Sequence, residues 1–254
     1  MKDLDQAIQF AKILVHVSSR PIMQYYRREF VIEKKADDSP VTIADRQAEE
    51  EMRRLIMKQY PKDGIIGEEL GVYQPEADYQ WVLDPIDGTR SFISGVPLFG
   101  TLIALTYRRK PILGVMYLPI LKELLIGTPQ QTLLNDKPVK MRECSRLSEA
   151  ILLVSDHRHI SQYQNGKNFD KLIKVVNFYR TWGDCFGYYL LASGFADIMI
   201  DAITAPWDSL AIIPIIQGAG GRITDYQGNE PVGQTSLIAA HPSLHRKVIE
   251  ILNA

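Results

Sequence analysis

Residues 81–89 read Trp-Val-Leu-Asp-Pro-Ile-Asp-Gly-Thr, a short apolar run that leads directly into two carboxylates. The apolar residues predict a buried strand that delivers Asp84 to its own end, and the proline that follows fixes a turn and removes a backbone donor. Asp84 and Asp87 repel each other at close range unless a cation lies between them. Gly88 and Thr89 can offer backbone amides to an anion, particularly if a helix starts there. The stretch therefore predicts a place that holds cations and an anion together.

The competing interpretation of this stretch is a solvent-exposed acidic turn, because Asp-Pro and Asp-Gly are common in turns. The apolar residues 81–83 argue against an exposed position for the acids that follow them. Ligands that are all oxygen, with no His or Cys, favour a hard cation such as Mg²⁺ or Mn²⁺. We therefore expect a magnesium site, with Mn²⁺ as the alternative ion.

The composition of the chain excludes several classes of function. The 254 residues carry a formal net charge of −1, which gives no overall attraction to nucleic acid or to an anionic membrane surface. Two cysteines, Cys144 and Cys185, without a CxxC spacing predict no disulfide framework and a reducing compartment, so we expect a cytoplasmic protein. The first residues do not have the pattern of a secretory signal, and no apolar run reaches the roughly 20 residues that span a bilayer.

Helical and strand patterns alternate along the whole chain, which predicts an α+β protein built of layered sheets and helices. We expect two subdomains in one compact catalytic unit, with residues 1–142 forming an N-terminal α+β part and residues 143–254 a C-terminal α/β part. Predicted helices cover residues 4–26, 43–60, 169–176, 186–193, 209–217 and 243–252. Predicted strands cover residues 30–34, 65–69, 79–83, 98–107, 114–118, 123–127, 151–155, 196–201, 223–224 and 237–240, and residues 129–136 are expected to form a turn region.

Three further acidic positions accompany the central stretch, and each has a structural alternative. Glu68 follows an apolar pair, although acidic pairs of this kind usually lie on solvated surfaces. Asp208 opens an apolar helix and could serve as its N-cap, but a metal ligand is equally favourable at a helix N-terminus. Asp45 lies near the start of the second helix and could be a helix-start acid.

At four places in the same order along the chain, the sequence resembles the inositol monophosphatase family of lithium-sensitive, metal-dependent phosphomonoesterases. The matching residues are 41–45, 67–69, 84–89 and, as a single signature, 207–208 followed by 218–221. The resemblance covers essentially the whole chain. It implies an alternating αβαβα sandwich, a homodimer, inhibition by lithium and a small phosphorylated metabolite as the substrate.

The resemblance also implies which residues hold the metals, most of them in the N-terminal part. Glu68, Asp84 and the carbonyl of Ile86 would bind one ion, and Asp84, Asp87 and Asp208 a second. A third, looser Mg²⁺ near Glu68 is typical of the family. Two to three ions are therefore expected.

The same resemblance implies a mechanism. Asp45 and Thr89 would orient and help to deprotonate the attacking water, with Glu68 beside them as a further catalytic group. The amides of Gly88 and Thr89 would contact the phosphate. Because phosphoryl transfer depends mostly on positioning and charge neutralisation, metals and carboxylates suffice and no covalent phosphoenzyme is needed.

Within the family, residues 90–95, 97–105, 183–185 and 188–194 resemble the histidinol-phosphate phosphatases, which act in histidine biosynthesis. Histidinol phosphate carries an ammonium group, and a carboxylate at Asp184 could pair with it. The structural alternative for Asp184 is the N-cap of the helix that follows. Asp201 stands where the family often has a substrate-facing Glu. The candidate substrate-binding residues are Asp87, Gly88, Thr89, Arg90, Asp184, Asp201 and Asp208.

Other functions remain open at this point. An inositol-1-monophosphatase or a broad sugar-phosphate phosphatase has the same reaction, and Arg180 and Arg222 leave a 3'(2'),5'-bisphosphate nucleotidase open. A different class would be an inactive metal-binding regulatory protein. The histidines show no metal-ligand spacing, and His157 and His159 are predicted to be surface or loop residues. Trp182 is predicted to pack rather than to stack on a ligand, with a place at the mouth of the site as the alternative.

Overall fold

The computed structural model describes residues 2–29, 32–34 and 40–254. Over these residues the chain forms eight α-helices and fifteen strands. The helices are α1 (Leu4–Tyr25), α2 (Ile43–Gln59), α3 (Thr89–Ile93), α4 (His157–Tyr163), α5 (Gly166–Val175), α6 (Asp184–Ala192), α7 (Pro206–Gly218) and α8 (Pro242–Leu252).

The strands form a two-stranded ribbon and two larger sheets. The ribbon pairs β1 (Ile32–Lys34) with β2 (Pro40–Thr42). The first sheet contains β3 (Gly64–Gly67), β4 (Gly71–Tyr73), β5 (Tyr79–Asp87), β6 (Gly100–Tyr107), β7 (Lys110–Leu118), β8 (Glu123–Gly127), β9 (Thr132–Leu134) and β10 (Lys137–Val139). The second sheet contains β11 (Ile151–Val154), β12 (Phe178–Arg180), β13 (Ile198–Asp201), β14 (Arg222–Thr224) and β15 (Leu237–Ala240).

Each larger sheet contains parallel neighbours within an otherwise antiparallel arrangement. The first sheet has the order β10-β9-β8-β7-β6-β5-β3-β4, and β3 runs parallel to β5. The second has the order β12-β11-β13-β15-β14, and β11 runs parallel to both β12 and β13. Since parallel strands end at the same edge of a sheet, each sheet brings loops from distant parts of the chain together at that edge.

Helices cover both faces of the first sheet. Leu14 of α1 and Met52 of α2 pack with Trp81 on its outer face. Val82, the next residue of β5, points to the opposite face and packs with Ile212 of α7. The alternation along β5 therefore places one apolar residue in each of two cores.

Helices α6 and α7 fill the space between the two sheets, and α4, α5 and α8 cover the far face of the second sheet. Leu191 and Ile212 share one core with Met199 of β13. Phe169 of α5 and Leu244 of α8 pack in a separate core against the opposite face of the same sheet. The layers therefore alternate as αβαβα, which confirms the expected sandwich.

Two glycines of the first sheet allow α7 to approach it closely. A Cβ atom at Gly114 would lie 2.0 Å from the carbonyl oxygen of Ala211, and one at Gly127 would lie 2.4 Å from the Cα of Ile215. Any larger residue at either position would push the helix away from the sheet. The position of α7, which carries Asp208, therefore depends on both glycines.

The structure corrects several predicted boundaries. The strand that was predicted to end at residue 83 continues to Asp87, so the carboxylates lie within β5 rather than beyond it. The predicted turn region 129–136 contains the short strand β9. The short elements β4, α3, α4 and β12 were not predicted, because runs of three to seven residues show too little periodicity. Residues 30 and 31 of the first predicted strand lie outside the described residues.

Strands of the first sheet end at Val139 and those of the second begin at Ile151, while the subdomain division at residues 142 and 143 stays a prediction. Cys144 and Cys185 are both buried, and both are free thiols. In the described part of the chain, no helix combines the length and the apolar character that a membrane crossing requires.

Candidate active site

The parallel strands β3 and β5 bring two acidic residues side by side. Gly67 lies opposite Leu83 in the parallel register, and the backbone amide of Glu68 donates a hydrogen bond of 3.1 Å to the carbonyl of Leu83. Glu68 and Asp84 are therefore adjacent residues at the carboxyl edge of the first sheet. The charge of Glu68 acts directly on Asp84 and contributes to raising its pKa.

Beyond Asp84, β5 bends into an irregular turn that two local hydrogen bonds stabilise. The amide of Ile86 donates to Asp84 Oδ1 at 3.0 Å, and Thr89 Oγ1 donates to the carbonyl of Ile86 at 3.0 Å. The pairing with β6 shifts between Asp84 and Asp87, which turns both carboxylates toward one side. The carbonyl of Ile86, which accepts from Thr89, keeps a second lone pair for a cation.

Gly88 occupies a backbone conformation that favours glycine. Its φ is +86°, and a Cβ atom there would lie 2.9 Å from the carbonyl oxygen of Leu98. Gly88 is also the N-cap of the short helix α3. The glycine therefore allows the chain to leave the Asp87 carboxylate and enter a helix at once.

Asp208 comes to this turn from the start of α7. Its Oδ2 accepts a hydrogen bond of 2.7 Å from the amide of Ala205 before the helix, so it closes a helix start and also faces the other acids. Asp84, Asp87 and Asp208 each place one carboxylate oxygen within 4.8 Å of the other two. This separation allows all three oxygens to bind one cation or a close pair of cations.

The electrostatics of these acids fit a cation at their centre. Burial raises the pKa of Asp84 well above its usual value, and the charges of Glu68, Asp87 and Asp208 raise it further. Burial, with smaller effects from neighbouring acids, raises the pKa of Asp208 to about 7. A divalent cation would remove this repulsion, and a set of carboxylate oxygens suits Mg²⁺ or Mn²⁺.

Asp45 lies in the capping box at the start of α2. Its Oδ2 accepts from both the amide and the hydroxyl of Thr42, at 2.8 and 2.6 Å. Its Oδ1 is buried and has no hydrogen-bond partner within the described residues. Burial raises the pKa of Asp45 to about 6 despite the hydrogen bonds from Thr42. Asp45 therefore does act as a helix-start acid through its Oδ2, and its Oδ1 remains available for a water molecule.

The second sheet contributes the opposite wall of the site. Ser155 follows β11 and Asp201 ends the neighbouring parallel strand β13. The amide of Asp184 donates to Ser155 Oγ at 2.7 Å, and Tyr188 Oη donates to Asp201 Oδ2 at 2.8 Å. The hydroxyl of Ser155 also bonds to Asp201. Residues from β11, α6 and β13 thus form one hydrogen-bonded wall.

Asp184 is the first residue of α6 and does not serve as its N-cap. Gly183 occupies the cap position, and Asp184 has a φ of +51°. The N-cap alternative is therefore wrong. The next amide, that of Cys185, donates to Asp87 Oδ2, so the start of α6 connects the second wall to the three-acid cluster.

A cavity of about 330 Å³ lies between the cluster and this wall. Burial raises the pKa of Asp184 to about 6, the charge of Asp201 adds to this effect, and Arg90 opposes it. Arg90 also contacts Asp156 at 3.4 Å at the exposed edge. The lining consists of Asp87, Arg90, Ser91, Ser155, Asp156, His159, Thr181, Asp184, Tyr188, Asp201, Ile203, Thr204, Asp208, Ile212 and Leu237.

Several residues near the site were not found from the sequence. His157 and His159 lie in helix α4 and not in a loop, while the exposed position of His157 agrees with the surface alternative. His159 Nε2 lies 3.8 Å from Asp156 at the cavity. Trp182 is 43% exposed, which contradicts its predicted packing role. Ser155 could have been suspected, because it directly follows a predicted strand, as Asp84 does.

Comparison with known proteins agrees with this geometry. Residues 3–254 match the inositol monophosphatase family. The chain is 43% identical over 246 residues to the bifunctional phosphatase IMPL2, chloroplastic, of Arabidopsis thaliana, covering 96% of this chain and 71% of the relative. It is 36% identical over 245 residues to a histidinol-phosphatase of Chlorobaculum parvum, covering 95% of each chain.

A solved structure of an inositol monophosphatase from Zymomonas mobilis matches over 100% of both chains, with a TM-score of 0.89 and 34% identity. The sequence relatives and the solved structure thus agree over nearly the full length. Together with the layered fold and the acidic cluster, they show that the chain belongs to the inositol monophosphatase family of phosphatases.

Proposed function

We propose that the protein is a magnesium-dependent phosphomonoesterase that hydrolyses histidinol phosphate to histidinol and phosphate. The observation that carries the choice of substrate is the acidic wall opposite the three-acid cluster. Asp201 is buried there and Asp184 is half-buried beside it, and burial together with the charge of Asp201 raises the pKa of Asp184. A positively charged group on the substrate would stabilise the ionised form of these carboxylates.

In the proposed reaction, Asp84, Asp87, Asp208, Glu68 and the carbonyl of Ile86 would hold two to three Mg²⁺ ions. Bound there, Mg²⁺ supplies charge neutralisation for the phosphate oxygens and makes a coordinated water more acidic. The residues of the chain orient the reactants around it.

Asp45 and Thr89 would position the attacking water. The free Oδ1 of Asp45 can accept a proton from that water, because its other oxygen is already held by Thr42. The hydroxyl of Thr89 donates to the carbonyl of Ile86, so its oxygen can still accept a hydrogen bond. The amides of Gly88 and Thr89 would contact the phosphate.

The charge of the cavity favours an aminoalkyl phosphate over an inositol phosphate. Histidinol carries an ammonium group that can form a charge-assisted hydrogen bond with Asp184, whereas inositol offers only hydroxyl groups. Arg90 is partly neutralised by Asp156, so a second phosphate would meet mostly carboxylates in this cavity. The 36% identity to the histidinol-phosphatase of Chlorobaculum parvum supports the same choice.

The test is turnover of histidinol phosphate and of inositol 1-phosphate by the wild type and by Asp184→Asn. We expect histidinol phosphate to be the better substrate. The variant should lose about 30-fold in kcat/KM for histidinol phosphate, the value of one charge-assisted hydrogen bond, and only about twofold for inositol 1-phosphate. Faster hydrolysis of inositol 1-phosphate by the wild type, or an equal loss for both substrates, would contradict the proposed substrate.

The same assay separates catalysis from a purely regulatory role. Asp87→Asn should lose turnover of every phosphomonoester, because one of the three cluster carboxylates is removed. If the wild type hydrolyses none of them with Mg²⁺ and Asp87→Asn behaves identically, the enzymatic proposal fails. We further propose lithium inhibition, a homodimer, a cytoplasmic location and a place in histidine biosynthesis.

A further inference from the structure

A completely buried carboxylate, that of Glu49, lies beneath the turn that carries Glu68. Glu49 Oε2 accepts a hydrogen bond of 2.8 Å from the amide of Glu69, and Oε1 accepts one of 3.1 Å from the amide of Leu70. The two residues that follow Glu68 are therefore held through their backbone by one side chain of α2.

The residue that precedes Glu68 is shaped by the same carboxylate. A Cβ atom at Gly67 would lie 1.8 Å from Glu49 Oε1 and 2.4 Å from its Cδ. The carboxylate thus occupies the space in which any other residue would place its side chain. Both sides of Glu68 are fixed by contacts with Glu49.

Arg53 completes this arrangement one helical turn further along α2. Its Nη1 donates to Glu49 Oε1 at 3.1 Å and to the carbonyl of Gly71 at 2.9 Å. Arg53 therefore balances the buried charge of Glu49 and also holds the far end of the turn, at the start of β4. We call Glu49 and Arg53 the turn clamp.

The turn clamp lies on the same face of α2 as Asp45. Residues four apart on a helix lie one above the other, about 6 Å apart along the axis, so Asp45, Glu49 and Arg53 form one row. Burial raises the pKa of Asp45, and the charge of Glu68 adds a smaller effect in the same direction. One helix therefore carries both the carboxylate with a free oxygen and the clamp that positions Glu68.

We infer that Glu49 is a positioning residue, which sets the affinity for the divalent cation by holding the Glu68 carboxylate in place from behind the turn. This inference rests on the metal dependence proposed above. It follows because metal ligands keep their affinity only when their orientation is fixed, and loss of such a supporting partner costs about 10- to 100-fold in metal affinity.

The test uses two variants that disturb the clamp in different ways. Glu49→Gln keeps the size of the side chain but replaces one accepting oxygen with an amide NH2 group. That group cannot accept a hydrogen bond from the backbone N–H that faces it. Gly67→Ala keeps every charge and pushes the Glu49 carboxylate away from the turn. Binding of Mn²⁺ to each full-length protein is titrated by electron paramagnetic resonance, which detects free Mn²⁺ without any turnover.

We expect both variants to bind Mn²⁺ about tenfold more weakly than the wild type. The Mg²⁺ concentration for half-maximal turnover should rise by about the same factor, while kcat at saturating Mg²⁺ stays within about threefold, because the clamp acts through Glu68 and not on the substrate. The two changes share only the weakened contact between residue 49 and the amides of the turn, so one folded variant suffices to decide the matter.

Two controls separate positioning from general loss of stability. Glu51→Gln removes an exposed carboxylate on the same helix, and Asn168→Ala removes a buried amide of α5 that bonds the C-terminal carbonyls. Both should leave Mn²⁺ affinity within about twofold, although Asn168→Ala lowers stability. Wild-type affinity in either folded clamp variant, or an equal loss in Asn168→Ala, overturns the inference. Absence of Mn²⁺ binding by the wild type would instead refute the proposed metal dependence.

Discussion

In each of the two sheets, a pair of parallel strands forms one of the two opposite walls of the site. In the first sheet, β3 leads into Glu68, which lies beside Asp84 of β5, and a charged pair from α2 holds the turn behind them. In the second sheet, β11 leads into Ser155 and β13 ends at Asp201, and the Asp201 carboxylate is held by hydroxyl groups.

The difference is one of charge balance. The acids at the edge of the first sheet repel one another, and a cation from outside the chain would balance their charge. The carboxylate of Asp201 is already bonded to Tyr188 and Ser155, which lower its pKa against the effect of burial. We infer that the first edge determines the reaction and the second determines which leaving group is accepted. Changes at the two edges should therefore have separable effects.

The largest expected effect comes from Asp84→Asn at the first edge. Loss of this shared carboxylate should reduce kcat/KM by about a thousandfold or more for every substrate, because it removes charge needed by the cations. Steady-state kinetics and Mn²⁺ titration check this together. A loss for histidinol phosphate alone would break the comparison, since it would assign specificity to the first edge.

A smaller and selective effect is expected from Tyr188→Phe at the second edge. Removing the hydroxyl that donates to Asp201 should cost about tenfold in kcat/KM for histidinol phosphate, the value of a hydrogen bond to a charged group. Mn²⁺ affinity should stay unchanged. Tyr226→Phe is the matched control, because the Tyr226 hydroxyl is buried with no hydrogen-bond partner in the described residues. An equal loss in the control would mean that the effect is not specific to Asp201.

A third prediction concerns the stability of the metal-free protein. The pKa of Asp208 is raised from 3.8 to about 7 by folding, so the folded state binds its proton more tightly than the unfolded state does. Stability from this group is therefore present at low pH and is lost as the pH rises from about 4 to 7. Asp208→Asn should increase the free energy of unfolding at pH 8 by about 1–2 kcal/mol, with no gain near pH 4.

This prediction is measured by urea unfolding in the presence of EDTA at both pH values. Asp170→Asn, on an exposed part of α5, is the matched control and should change neither value. A destabilised Asp208→Asn protein at pH 8 would show that the helix-start hydrogen bond to Ala205 outweighs the buried charge.

The smallest expected effect comes from His245 in the second half of the chain. Its contribution to stability is lost as the pH falls, whereas that of Asp208 is lost as the pH rises. Burial, together with the charge of Arg222, lowers the pKa of His245 from 6.5 to about 4, and Thr224 bonds its ring at 2.9 Å. The unfolded state therefore binds a proton first as the pH falls. Stability should decrease by about 1 kcal/mol between pH 8 and pH 6 from this group.

His245→Asn should remove this part of the pH dependence, whatever its effect on absolute stability. Urea unfolding at pH 8 and pH 6 measures the slope in the wild type and in the variant. Identical slopes would show that His245 does not control the acid sensitivity of the second half.

The sequence predicted the residues at the edge of the first sheet better than those at the edge of the second. Asp84 to Thr89 form a local pattern in which type and spacing of residues already restrict the chemistry, and the structure places Asp87 and Asp208 beside Asp84. The partners of Asp201 could not be predicted in this way. Tyr188 lies on a helix and Ser155 just after another strand, so only the tertiary packing of α6 and the parallel register of β11 and β13 bring them to Asp201.

Glu49 was missed for a related physical reason. An acid within the helix α2, which is rich in Glu and Arg, has no local sign of burial, and its contacts with residues 69 and 70 arise only when the helix packs on the sheet. The periodic pattern correctly predicted the helix but not which of its acids point inward.

The close contact of α7 with Gly114 and Gly127 has a consequence for how the chain folds. Asp208 reaches Asp84 and Asp87 only after a segment more than a hundred residues later in the sequence has docked on the first sheet. Such distant contacts slow folding, because a long loop must close before they form. During synthesis, the cation site would therefore be completed among the last steps, after α7 has left the ribosome. Refolding experiments should show capture of the metal as a late kinetic phase that follows the formation of the first sheet.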